Sequence, residues 1–152
     1  MEIQDVSWQA VKALIRTRFP QVRSLTVAEL ANWLQQPSPL PLLLDARTAA
    51  EYAVSHLPQA QRVPAETELL PFLKTLSPPI VVYCSVGYRS ARLVEHLQAQ
   101  GLDPVFNLEG SIFAWANAGY SVYRGAEVVP QVHPCQPSWG KLLNPRLHAY
   151  KV

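Results

Sequence analysis

Charge is scarce in this chain. Only 16% of its 152 residues are charged, and 13 Lys and Arg against 11 Asp and Glu leave a net charge of +2. So small a surplus, with no basic patch interleaved with stacking aromatics, leaves no footprint for nucleic acid. A run of about 18 apolar residues, the length a membrane span needs, is missing, and the N-terminus lacks the apolar core of a signal peptide. Two cysteines are too few for the disulfide framework of a small secreted domain. Together these absences make a cytoplasmic protein the expectation. The chain does have apolar residues, at 49%, and four tryptophans. That composition belongs to a globular protein rather than a disordered one, and the length fits one domain with a real core.

The stretch Ile80 to Gly101 carries the most information. Ile80, Val81, Val82 and Tyr83 follow Pro78 and Pro79 and read as a short strand buried on both faces, as in a parallel sheet. The strand stops at Cys84. After Ser85, Val86, Gly87, Tyr88 and Arg89, a helical pattern takes over from about Ser90, with Ala91, Leu93, Val94 and Leu97 on one side and Gly101 as its stop. Cys84 therefore sits between a buried strand and a helix N-terminus, where unpaired amides and roughly half a positive charge face it. A sulfur held there is expected to ionise more easily than a free cysteine, whose pKa of about 8.5 can fall to about 7 or below in such a cradle. Gly87 permits a positive φ, and Arg89 adds a fixed charge and a fork suited to an oxyanion. A cysteine after an apolar strand is commonly mere packing, but packing needs neither the glycine nor the arginine.

The string CSVGYRS, together with LLLLDARTAAEY and HLPQAQRVP upstream and NLEGSIFAW downstream, resembles a single-domain rhodanese, a thiosulfate sulfurtransferase, over roughly Leu25 to Tyr123. The resemblance implies that Cys84 takes up a sulfane sulfur as a persulfide and passes it to a nucleophile, with loop amides holding the charged sulfur. It also implies a supporting role for Asp45, at the C-terminal end of the strand Leu42 to Leu44. In a parallel sheet that edge is where ligands bind, and Asp45 is expected to accept loop amides or to cap a local turn. His56 in SHLPQA matches a structural marker of the family. Ser55, Gln59 and Ser111 stand where the family often has glycine.

The remaining chain supplies alternating strands and helices. Thr26 with Glu29, and Thr48 with Glu51, have capping-box spacing and start helices; Arg47 is expected to pair with Glu51. Residues Pro37 to Pro41 read as a loop, Arg62 and Val63 as a brief strand, and 68–75 as a helix broken early by Pro71. Pro104 to Leu108 gives a fifth strand before a helix ended by Gly119. The expected fold is α/β and rhodanese-like, a central parallel sheet of about five strands flanked by helices on both faces. Its boundaries are an N-terminal helical extension over 1–24, the rhodanese-like domain over 25–125, and a Pro-rich tail over 126–152 packed on it. Within 1–24, Ser7 to Arg18 is amphipathic and docks on the domain or, alternatively, lies on an anionic membrane.

The expected activity is sulfur transfer, with Cys84 catalytic, Ser85, Val86, Gly87, Tyr88 and Arg89 binding substrate, and Asp45 and Ser90 supporting the loop. The donor would be thiosulfate or a persulfide and the acceptor a thiol, small or protein-borne, or cyanide; no cofactor or metal is called for. Two rivals remain. Related phosphatases and arsenate reductases use five residues between Cys and Arg, and this sequence has four, a ring sized for one sulfur rather than for phosphate. A non-catalytic docking module would have no need of Cys84, Gly87 and Arg89. In the tail, His133, Cys135 and His148 suggest a metal site without finger spacing, and Cys135 is alternatively a resolving thiol for Cys84 if the tail folds back.

Overall fold

The computed structural model describes residues 7–37, 39–64, 66–76 and 78–152. Positions 1–6 of the N-terminal extension and position 38 of the expected loop lie outside the described residues. Five strands, β1 (Ser24–Leu25), β2 (Leu42–Asp45), β3 (Gln61–Arg62), β4 (Ile80–Tyr83) and β5 (Val105–Leu108), form one parallel sheet in the order β1-β5-β4-β2-β3. The helices are α1 (Trp8–Arg18), α2 (Val27–Leu34), α3 (Ala49–Val54), α4 (Glu66–Leu76), α5 (Tyr88–Ala99), α6 (Ser111–Asn117) and the short α7 (Pro137–Gly140). An antiparallel hairpin of β6 (Val122–Arg124) and β7 (Glu127–Val129) precedes the last segment.

The central position of β4 follows from its sequence. All four of its side chains are buried, and alternation along the strand splits them between two cores. Val81 and Tyr83 join Leu30, Ile112 and Phe113 in one core. Ile80 and Val82 join Leu69, Leu73, Val94 and Leu97 in the other. Helices thus cover both faces, as the unbroken apolar run requires. Both capping boxes form as their spacing predicts, with Thr26 and Glu29 opening α2 and Thr48 and Glu51 opening α3.

One local expectation needs correction. The break at Pro71 does not occur; α4 runs through it. Leu69 and Leu73 lie on one face and are both buried, and together their burial, about 1.5–3 kcal/mol each, outweighs the roughly 3 kcal/mol cost of an interior proline. After β7 the tail forms α7 and a 3-10 turn over Pro145–Leu147. Leu142 and Leu143 are buried, and Asn117 of α6 donates to Leu142 O at 2.8 Å and accepts the Asn144 amide at 2.8 Å.

At the C-terminal edge of the sheet, Arg47 departs from its expected partner. It pairs with Asp45, not Glu51: Nη2 lies 2.7 Å from Asp45 Oδ2 with both side chains wholly buried, and Nε also donates to this carboxylate at 3.0 Å. The turn after β2 brings residue 47 back over residue 45, with the Arg47 amide donating to Asp45 Oδ1 at 2.9 Å. Burial works against the Arg47 charge, yet the attraction and hydrogen bonds of Asp45 leave its pKa above the ordinary value. The Tyr83 hydroxyl donates to Asp45 Oδ2 and accepts the Leu57 amide at 3.1 Å. Asp45 thus supports the residue before Cys84 rather than the loop amides after it. Removing one partner of a buried, hydrogen-bonded ion pair strands the other charge, so Asp45→Ala should lower unfolding free energy by about 3–5 kcal/mol. Urea denaturation checks this, and a loss below about 1 kcal/mol, the worth of an exposed pair, would show that Arg47 finds water or another partner.

Candidate active site

The chain leaves β4 at Tyr83 and enters α5 at Tyr88, two residues earlier than the apolar pattern alone indicates. The reason is Gly87. It is the N-cap of α5 at φ 114° with no side-chain cap, a left-handed conformation that a β-carbon would strain. Its amide donates to Cys84 Sγ at 3.2 Å. One turn into the helix, the Ser90 hydroxyl lies 3.4 Å from the same sulfur and 2.6 Å from Asn107 Oδ1. With one proton and two acceptors, that hydroxyl can turn from Asn107 toward a thiolate.

Three neighbouring elements fix the loop. From β5, Asn107 donates to Gly87 O at 3.1 Å. From the start of α6, the Ile112 and Phe113 amides donate to Cys84 O and Ser85 O, each at 3.1 Å. Ser111 accepts the Cys84 amide on its hydroxyl at 3.1 Å and donates to Leu108 O at 2.9 Å. Its φ is 49°, and that of Gln59 is 58°, so both hold the left-handed conformation that the glycines they replace would adopt freely. From α3, Glu51 completes the set.

Glu51 has two roles. It closes the capping box of α3, accepting from Thr48 N and Oγ1 at 3.1 and 3.0 Å. It also receives Arg89 through two parallel bonds, Nη1 to Oε1 at 2.9 Å and Nη2 to Oε2 at 3.0 Å. Ser85 donates to Glu51 Oε2 at 3.0 Å, and Arg89 Nη2 reaches Ser85 Oγ at 2.8 Å. The expected fork of Arg89 is therefore occupied by a carboxylate and braces the loop from below. Burial opposes the Glu51 charge, but hydrogen bonds from Arg89 and Thr48 hold its carboxyl at about 2. Arg89 is likewise held above its ordinary pKa, burial opposing and Glu51 prevailing.

Cys84 is 1% exposed and lies at the foot of a cavity of about 290 Å³ lined also by Val86, Tyr88, Arg89, Cys135 and Trp139. Val86 is buried. Tyr88 is half-buried, its ring against Phe19 at 5.2 Å and under the Arg92 guanidinium at 5.4 Å. Hydrogen bonds from Arg18 and Arg92 push the Tyr88 hydroxyl pKa down. Helix α1 reaches this region too: Val11 is buried, Trp8 and Ile15 pack on the core, and Ile15 Cδ1 lies 3.5 Å from where a Gly87 β-carbon would stand. A larger cavity of about 530 Å³ shares Arg89 as a wall and is lined by Arg62, Arg92 and His96, but no cysteine faces it, so the nucleophile favours the smaller one.

Of the other sequence candidates, His56 is satisfied within the fold: Nδ1 is 2.7 Å from Leu57 O, the ring stacks on Tyr52 at 4.4 Å, and Nε2 accepts the Gly125 amide at 3.3 Å. His133 Nδ1 accepts the Cys135 amide at 2.9 Å, and His148 Nε2 is 3.0 Å from Leu143 O. Among the described residues, no group of three or more His, Cys, Asp or Glu could hold a metal ion. Nor is any helix among them long and apolar enough to cross a membrane.

Sequence reasoning missed Glu51, Asn107 and Ser111 as parts of this site. Glu51 was hidden by its capping role. Asn107, a polar residue inside the apolar strand Val105–Leu108, carried a visible signal, since a buried amide needs partners. The depressed Glu51 pKa has a consequence in acid. The unfolded chain binds a proton near 4.5 and the folded one only near 2, so this stabilisation is complete above about 4.5 and is lost as pH falls toward 2. The shift sets an upper bound of about 3 kcal/mol. Arg89 is 37% exposed, and solvent screening reduces the expected loss to about 1–2 kcal/mol. Stability measured from pH 5 to 2 should fall less steeply in Glu51→Gln than in wild type; equal slopes would mean that Arg89 does not hold this carboxylate.

The family model described as Rhodanese-like domain matches residues 26–118. A protein named sulfurtransferase from Allochromatium vinosum is 38% identical over 84 residues, 53% of this chain and 77% of its own length. A probable adenylyltransferase/sulfurtransferase from Mycobacterium tuberculosis is 31% identical over 61% of this chain, but the match spans only 24% of that longer protein. Among solved structures, a rhodanese-like domain protein from Staphylococcus aureus superposes with a TM-score of 0.53 at 34% identity, over 62% of this chain and 91% of that one. With the five-stranded parallel sheet, the cysteine at its C-terminal edge and the family match over most of the length, this chain belongs to the rhodanese-like domain family.

Proposed function

We propose that this protein is a sulfurtransferase that carries a sulfane sulfur on Cys84, from thiosulfate or a persulfide donor to a thiol or cyanide. The observation that carries the reading is the placement of Cys84 Sγ, which receives the Gly87 amide, lies beside the Ser90 hydroxyl and faces a small cavity. The Cys84 thiolate attacks the outer sulfur of the donor; with thiosulfate the S–S bond breaks and sulfite leaves with the electron pair. The enzyme then holds Cys84–S–S⁻. An acceptor thiolate or cyanide attacks the outer sulfur and Cys84 leaves as thiolate, closing a double displacement.

The residues around the cysteine act by position and charge. Gly87 N–H offsets negative charge on the sulfur, and Ser90 adds a second donor when its proton turns from Asn107. Arg89 holds Ser85 and Glu51, so it acts chiefly as a positioning residue. Four residues separate Cys84 from Arg89, and that small ring, with its fork already filled by Glu51, favours a single sulfur over a tetrahedral phosphate.

Incubation with thiosulfate should add about 32 Da, one sulfur, to the intact protein, and Cys84→Ser should abolish both this gain and turnover. An unchanged mass in wild type would refute the reading. Gly87→Ala, driven from φ 114°, should displace the amide and lower turnover on the order of 10²-fold. A thermal melt separates that effect from unfolding, and wild-type turnover in a folded Gly87→Ala would remove the amide from the mechanism.

A further inference from the structure

The second cysteine belongs to the cavity of the first. Cys135, fifty-one positions beyond Cys84 in the chain, lines the same cavity of about 290 Å³. Arg89 Nη2 lies 3.7 Å from Cys135 Sγ and 2.8 Å from Ser85 Oγ, next to Cys84. One guanidinium thus joins the two cysteine segments. The segment carrying Cys135 is tied down on both sides. Its amide donates to His133 Nδ1 at 2.9 Å, Val132 exchanges backbone hydrogen bonds with Leu147 and Ala149 at 2.7 and 3.1 Å, and Leu143 is buried. The sulfur is held at this opening by the fold.

The two thiols differ in access. Cys84 is 1% exposed and its sulfur is engaged by the Gly87 amide, whereas Cys135 is half-buried and shares the cavity with Gln136 and Trp139. Of the two thiols in this cavity, Cys135 is the more exposed to an acceptor. The cavity is the space that Cys84, otherwise buried, offers to an added sulfur. Resting on the sulfur-transfer reading above, we infer that Cys135 takes the sulfane sulfur from Cys84 and presents it to acceptors too bulky to reach the buried cysteine. In this step the Cys135 sulfur attacks the outer sulfur of the Cys84 persulfide. A Cys135–sulfur bond forms, the Cys84 S–S bond breaks, and its electron pair stays on Cys84, which collects the proton given up by Cys135. The products are Cys84–SH and Cys135–S–S⁻, and no oxidant or reductant is consumed.

Partial burial raises the Cys135 thiol pKa, with the Glu51 charge adding to the effect. Attack on the inner sulfur would instead give a Cys84–Cys135 disulfide and release hydrosulfide. That route needs access to an atom the loop encloses.

The test uses the full chain, thiosulfate as donor, rapid alkylation and peptide mass mapping. Cleavage after Lys74, Arg89, Arg124 and Lys141 places the two cysteines on separate peptides. In wild type the gain of about 32 Da should appear on both peptides, first on Cys84 and then on Cys135. Cys84→Ser should lose the label at both positions, and in Cys135→Ser the label should stay on Cys84. A wild-type label confined to Cys84, a label on Cys135 in Cys84→Ser, or a Cys84–Cys135 disulfide with hydrosulfide release would each overturn the relay while leaving sulfur uptake to be judged by itself. No label on either peptide of the wild-type protein would overturn the relay together with the sulfur-transfer reading beneath it.

Discussion

The bidentate contact between Glu51 and Arg89 governs how the rest of the site is held. One carboxylate caps α3, receives Ser85 and fixes the first turn of α5. It therefore ties α3, which follows β2, to α5, which follows the cysteine. Burying the Glu51 charge and part of Arg89 costs desolvation, which such a pair recovers only with good geometry and filled hydrogen bonds. Here both carboxylate oxygens have partners, and Arg89 spreads its donors over Glu51 and Ser85. The small loop is thereby braced while the Gly87 amide faces the Cys84 sulfur.

The same pair shapes the electrostatics of the candidate nucleophile. A free arginine beside Cys84 would draw any small anion into the cavity; one neutralised by Glu51 leaves a weaker field, in which local donors count for more. Gly87 N–H and the Ser90 hydroxyl are those donors. Both are fixed from behind by Asn107, whose own strand is held in register against β4. Sheet pairing, loop conformation and sulfur environment are linked in one chain of contacts.

Much of this was legible in the sequence, for physical reasons that can be named. The fourfold apolar run at Ile80–Tyr83 read as a central strand because period-two packing needs both faces apolar. Gly87 read as a positive-φ position because the loop turns there. The capping boxes were visible because Thr and Glu three apart satisfy two orphan amides. Partner choice was less legible. Arg47 is four positions from Glu51 and two from Asp45, and the turn after β2, closed by the Arg47 amide on Asp45 Oδ1, decides between them. Packing of the tail on the domain was expected, but the bonds from Asn117 to Leu142 and Asn144 form only through tertiary structure and left no local signal.

Two substitutions show how the fold tolerates departure from its usual glycines. Ser111 and Gln59 both hold φ near +50° to +60°, at a cost of about 1 kcal/mol or more for a residue with a β-carbon. Ser111 has a visible return: its hydroxyl takes the Cys84 amide and donates to Leu108 O, satisfying a buried donor that a glycine would leave to the backbone or to water. The cysteine amide is thereby engaged away from the cavity, and the Gly87 amide is the one turned to the sulfur. The loop amides are divided accordingly, that of Cys84 spent on the scaffold and that of Gly87 on the cysteine sulfur.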